Sequence, residues 1–216
     1  TDSGVHALGQ VVHFEIPAQV SNQRLISLLN RCLAFERMQV RNVESVSMDF
    51  HARFDATARV YDYHFCIGAE ALGFGLAQWV WAAPAGREWH GRRFRAAVRL
   101  FQGHHDFTQF TVKPGTQQRL SRNILTASAL SCKWTDFLAD LAKPVKIYRV
   151  RLVGKGFLRQ MVRYIVAACV EVGKGNLTPD QISRCLDNHP AWPMRYAAPA
   201  HGLLLRQVRY KGVENR

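Results

Sequence analysis

Residues 58–67 read ARVYDYHFCI, and their strict alternation constrains the fold more than any other stretch. Successive side chains of an extended chain point to opposite sides, so Tyr61, Tyr63, Phe65 and Ile67 share one face and Val60, Asp62, His64 and Cys66 the other. A strand with so aromatic a face needs a sheet to join and a layer to cover it.

Helical spacing elsewhere supplies that layer. RRFRAAVRLFQG sets Phe94, Ala97, Val98 and Phe101 on one stripe and stops at Gly103. GFLRQMVRYIVAACVEVG carries a broad stripe from Leu158 through Met161, Ile165 and Cys169 to Val172, with Gly173 after the last turn and Arg159 and Arg163 on the opposite face. SNQRLISLLNRCLAF predicts a helix capped by Ser21 or Asn22, and TPDQISRCL a short one with Thr178 as N-cap, Pro179 at the first position and Gln181 closing a capping box. Strands are expected at Val11–Ile16, around Val40–Met48, in KIYRVRLVG and in GLLLRQVRY. Without regular βαβ alternation this is an α+β pattern, helices packed on a mainly antiparallel sheet. A weak boundary near Asp49 divides 1–49 from 50–216.

With 48% hydrophobic residues in 216, the chain can bury a substantial core, and no apolar run is long enough to cross a bilayer. The first residues lack a signal-peptide pattern. Cys32, Cys66, Cys132, Cys169 and Cys185 form no CxxC pair, which suits thiols in a reducing compartment better than zinc or disulfides. Charge is more telling. Residues 1–100 hold 11 basic and 9 acidic groups, residues 101–216 hold 18 and 7, and the chain carries +13. Such asymmetry suits a polyanion, because cations that neutralise phosphates release condensed counterions. Nucleic acid is favoured over a membrane surface, since no basic helix with a strong apolar anchor is present.

The common catalytic signatures are missing: no P-loop, GxGxxG after a strand, GxSxG or HExxH occurs. His104, His105 and Asp106 cluster in FQGHHDFTQF, but this reads as a polar loop after a helix, and His6 and His13 as structural. The chain opens TDSGVHALGQVVHF, which places the carboxylate of Asp2 in a tight Asp-Ser-Gly turn just before a strand.

Four blocks in order, TDSGVHALGQVVHF, FHARFDATARVYDY, GFLRQMVRYIV and APAHGLLL, resemble the TruA family of tRNA pseudouridine synthases over nearly the whole chain. The resemblance implies that Asp2 is the catalytic carboxylate, that Tyr61 stacks on the target base, and that Arg163 and Leu203 line the pocket. It implies two ferredoxin-like halves sharing one antiparallel sheet with the active cleft between them, a homodimer, tRNA modified in the anticodon arm, no cofactor or metal, and an intracellular location in cytoplasm or mitochondrion. It also implies a family Arg, strand and helix ahead of Thr1, without which Asp2 would fray. The chemistry is consistent: converting uridine to pseudouridine moves the glycosidic bond from N1 to C5 with no net redox change, and one positioned carboxylate suffices. Exposed in a turn, Asp2 would meet a flipped nucleotide.

Each residue also has a plainer role open to it. Tyr61 suits a buried strand face, Arg163 a solvated helix face and Leu203 the core; Arg163 alternatively pairs with Asp2 and keeps it ionised. Two segments depart from the family: Thr111 stands where a basic residue is usual, with Lys113 nearby, and CLAFERMQV lacks the usual turn. The rival reading is a catalytically silent RNA-binding or ribosome-assembly protein on the same fold. Retention of Asp2, Tyr61, Arg163 and Leu203 favours the enzyme.

Overall fold

The computed structural model describes residues 1–16, 20–68, 72, 75–112, 120–134, 145–187, 189 and 196–212. Lys113 lies outside them. The chain divides into two compact units, Thr1–Gln10 with Ala56–Arg216, and Val11–Asp55.

The larger unit is built on a mixed sheet. Its strands are β1 (His6–Ala7), β2 (Ala56–Ile67), β3 (Trp81–Ala83), β4 (Gly103–Asp106), β5 (Ser121–Trp134), β6 (Val145–Gly154) and β7 (Leu203–Tyr210). They lie in the order β1-β7-β2-β6-β5-β4, with β3 pairing β2 off this path. The β1–β7 and β2–β3 pairs are parallel and the others antiparallel. The helices are α2 (Gly91–Arg99), α3 (Met161–Gly173) and α4 (Pro179–Leu186). This is an α+β fold, as the pattern predicts.

The alternation of β2 works as read. Tyr63 and Phe65 are fully buried in one core with Phe94 and Val98 of α2, Val150 and Leu152 of β6, and Met161, Ile165 and Cys169 of α3. On the opposite face Asp62, 1% exposed, sits directly across from Arg151 of β6. The Arg151 Nε and Nη2 each donate to one Asp62 oxygen at 2.7 Å, a bidentate pair that satisfies the buried carboxylate.

Both ends of α3 differ from the reading. Gln160 takes a left-handed backbone, so the helix starts at Met161 and Arg159 lies outside it, sharing no helical face with Arg163. Gly173 is the last helical residue and not the one after it, and the Trp89 ring fills the space a side chain there would need: a Cβ would be 2.3 Å from it. The α4 cap forms as expected, Thr178 and Gln181 exchanging both bonds of the capping box.

GHHD is not a loop. After Gly103, whose φ is +113°, it forms an edge strand on β5, pairing His104 with Asn123 and His105 with Arg122. An edge needs backbone partners and tolerates polar side chains. SRNILTASALSCKW, to which the pattern assigns nothing, becomes the 14-residue β5 because β4 and β6 pair with its two sides.

In the smaller unit, α1 (Asn22–Cys32) begins as predicted, with the Ser21 hydroxyl accepting from the Arg24 N–H. Asn30 exchanges two bonds with the Val40 backbone, at 2.7 and 3.0 Å. Neither Val11–Ile16 nor Val40–Met48 forms a strand. Val12, Phe14 and Ile16 are 70%, 54% and 44% exposed. Alternation encodes a face, whereas a strand also requires a ladder with a neighbour.

Candidate functional site

The site grows from the turn at the start of the larger unit. Val5 N–H closes an Asp2–Val5 turn on the Asp2 carbonyl at 3.2 Å. Gly4 takes the positive φ, +78°, that such a turn demands, and a Cβ on it would lie 3.3 Å from that of Ala200. The chain then enters β1, whose His6 and Ala7 pair with Leu204 and Leu205 of β7. Leu8 N–H adds a 2.9 Å bond to the Leu205 carbonyl. The backbone of the catalytic candidate is thus fastened to the strand that begins with Leu203, and its side chain is left exposed.

A cavity opens beside it. Thr1, Asp2, Val5, Tyr61, Phe157, Leu158, Gln160, Met161, Val162 and Leu203 line it. Three of the four residues singled out from sequence, Asp2, Tyr61 and Leu203, therefore meet at one place. Tyr61 projects from the middle of β2 and is half-buried. Phe157 packs edge-on against it, ring centroids 5.0 Å apart at 83°, which fixes the plane of the phenol. Burial pushes the Tyr61 hydroxyl up; Arg59 draws it down, and the Asp2 carboxylate adds to the rise. Tyr61 is therefore a neutral aromatic surface within electrostatic reach of Asp2.

Arg163 is not among the residues lining the cavity. It is half-buried on α3, where its Nε donates to the Ala198 carbonyl at 2.6 Å and its own carbonyl accepts from Ala198 N–H at 3.1 Å. The next carbonyl, that of Pro199, accepts from the Tyr63 hydroxyl at 2.7 Å. Gly202 presses onto the same ring, leaving no space for a side chain, since a Cβ would fall 2.7 Å from Tyr63. Segment 198–202 is thus clamped from two sides and delivers Leu203, 6% exposed, to the cavity wall.

Thr111 supports this wall from behind. Its hydroxyl donates to the Arg159 carbonyl at 3.0 Å, bracing the turn that carries Phe157 and Gln160. Phe157 and Gln160 belong to the site but were not singled out from sequence. Their signal lay in the GFLRQMVR block, and only its folding back as a turn before α3 brings them to Tyr61.

The sequence pattern of the tRNA pseudouridine synthase family matches residues 97–211, more than half of the chain. Relatives match over nearly the whole of this chain. A tRNA pseudouridine synthase A of Geobacillus kaustophilus is 35% identical over 215 residues, 98% of this chain and 76% of the relative. Those of Pseudothermotoga lettingae and Limosilactobacillus fermentum are 32% and 33% identical, over 97% and 100% of this chain and 80% and 78% of theirs.

Proposed function

The chain belongs to the tRNA pseudouridine synthase A family, and from that premise we propose that it isomerises uridine to pseudouridine in the anticodon arm of tRNA with Asp2 as its catalytic carboxylate. The observation that carries the assignment of residues is the meeting of Asp2, Tyr61 and Leu203 at one cavity.

The target nucleotide leaves its stack and enters the cavity, where the uracil lies against the Tyr61 ring, a contact worth about 1–3 kcal/mol in base stacking. Phe157 holds that ring edge-on, so the stacking plane exists before the base arrives. Leu203 closes the apolar wall. Asp2 acts as nucleophile, in a covalent bond that breaks again before the product leaves, or as the base that starts elimination by taking a sugar proton and later returns it, while the N1–C1′ bond breaks. The base then turns, C5 bonds to C1′, and the proton lost from C5 is matched by one gained at N1. In this reading Arg163 serves the pocket through Ala198, holding the segment that presents Leu203. Asp2, with Thr1 and Val5, belongs by sequence to the N-terminal half, residues 1–49, and Tyr61, Leu203 and the segment 157–162 to the C-terminal half, 50–216. Two ferredoxin-like halves with the cleft between them, and a homodimer whose basic surface holds tRNA, complete the reading on the strength of family membership.

The test is Asp2→Asn. The variant is expected to form no pseudouridine in tRNA while keeping the thermal midpoint and tRNA affinity of the parent, because Asp2 is exposed and its turn is held through its backbone. Substantial remaining activity would remove Asp2 from the chemistry.

A further inference from the structure

Gln160 combines three properties that its place in the fold does not require. It lines the cavity. Its backbone is left-handed, φ 58° and ψ 8°, a conformation that glycine or asparagine adopts more easily. It stands at the N-cap of α3 yet makes no side-chain capping bond, and among the described residues its amide takes no hydrogen bond at all.

The strained backbone is held from both sides. The Gln160 carbonyl accepts from Arg163 N–H at 3.0 Å and Tyr164 N–H at 3.1 Å. One residue earlier, the Arg159 carbonyl accepts from the Thr111 hydroxyl and from Val112 N–H. A residue costly to the backbone and unused by the helix, held firmly beside a reacting centre, is the kind of outlier from which function is inferred. Apart from Thr1, Asp2 and the Tyr61 hydroxyl, the other side chains around the cavity are apolar among the described residues.

We propose that Gln160 grips the imide edge of the uracil and keeps its grip through both orientations the base must take. The proposal rests on the reading of this cavity as the uridine site. To bring C5 where N1 was, the detached base turns about the line through N3 and C6. That turn exchanges N1 with C5 and O2 with O4, and leaves the N3–H where it was. A primary amide offers one acceptor and one donor side by side. Its oxygen accepts from N3–H and its N–H donates to whichever carbonyl lies next to it, O4 before the turn or O2 after it, or the reverse. The same two bonds serve substrate and product. A carboxylate in this position would lack the donor, and an ammonium the acceptor.

Gln160→Gly separates this role from structure, since it removes the amide while relieving the backbone. We expect a thermal midpoint no lower than that of the parent, tRNA affinity within about twofold, and a single-turnover rate of pseudouridine formation about 10–100-fold lower, the cost of a buried imide left without its partner. Gln160→Asn, which keeps an amide and suits the backbone, should restore part of the rate. A tRNA carrying N3-methyluridine at the modified position, located first by mapping, supplies the chemical control. The methyl group should slow the parent by a larger factor than it slows Gln160→Gly, which has no bond to lose. An unchanged rate in Gln160→Gly, or an equal penalty from the methyl group in both proteins, overturns the role of Gln160 and leaves that of Asp2 standing. A parent protein that forms no pseudouridine overturns both.

Discussion

In the proposed site Tyr61 binds the base by its face, while burial raises the pKa of its hydroxyl and keeps it protonated. Tyr61→Phe should therefore retain near-parental pseudouridine formation, whereas Tyr61→Ala should lose about 1–3 kcal/mol of base stacking. Single-turnover rates and tRNA binding of the two variants check this, and equal losses would shift the role to the hydroxyl. How far such residues can be read from sequence depends on how local their signal is. The Asp2 turn was legible because Asp-Ser-Gly specifies its own backbone, and the structure closes that turn at Val5. Tyr61 stood out by its strand face and its block. Spacing misplaces Arg159, which it puts on a common helical face four residues before Arg163; the left-handed Gln160 starts the helix between them, and only Arg163 lies on it. Its partner Ala198 is 35 residues away, a distance no periodicity reports.

Among the elements, α3 lines the cavity with Met161 and Val162, and its C-terminal end has its own anchor. Burial works to raise the Glu171 carboxyl, but hydrogen bonds from Asn176, Tyr196 and Lys174 outweigh it and hold the group below the ordinary glutamate range. A carboxyl whose folded-state value is depressed gives stability that is fully present above the unfolded value and lost as the pH falls through the native one. Glu171→Gln should thus destabilise by about 1–3 kcal/mol at neutral pH. The difference from the parent in denaturant midpoint should shrink on acidification below the ordinary glutamate range. A difference independent of pH would assign the effect to shape alone. Legibility at this scale followed burial. β2 and β6 alternate because one face meets α2 and α3, β7 buries Leu203, Leu205 and Val208, and all three were foreseen. β5 carries small polar residues and is a strand by virtue of its neighbours, so its sequence is silent. Val11–Ile16 and Val40–Met48 show the converse, alternating residues without a ladder.

For the whole molecule, the basic excess predicts tRNA binding that weakens steeply with salt, but the structure divides the arginines that carry it. Arg149 and Arg151 alternate onto the same face of β6, yet Arg151 is already matched by Asp62. Arg149→Gln should lower the salt slope by about 1, and Arg151→Gln should leave it unchanged. The latter should instead cost about 1–3 kcal/mol of stability, less than for a fully buried pair because its guanidinium is part exposed. Salt titration of tRNA binding together with denaturant unfolding of both variants separates the two effects. A lowered slope in Arg151→Gln would mean that its charge still reaches phosphate. The parallel pairing of β1 with β7 has a consequence in time. His6 and Leu204 meet across nearly the whole sequence, and loop closure over such a separation comes late in folding. During synthesis the carboxylate emerges among the first of these residues and waits for one of the last strands to dock beside it. A chain not yet extended through Leu203 cannot hold Asp2 against it, so on the proposed reading a growing polypeptide can meet tRNA through its charges long before it can alter one.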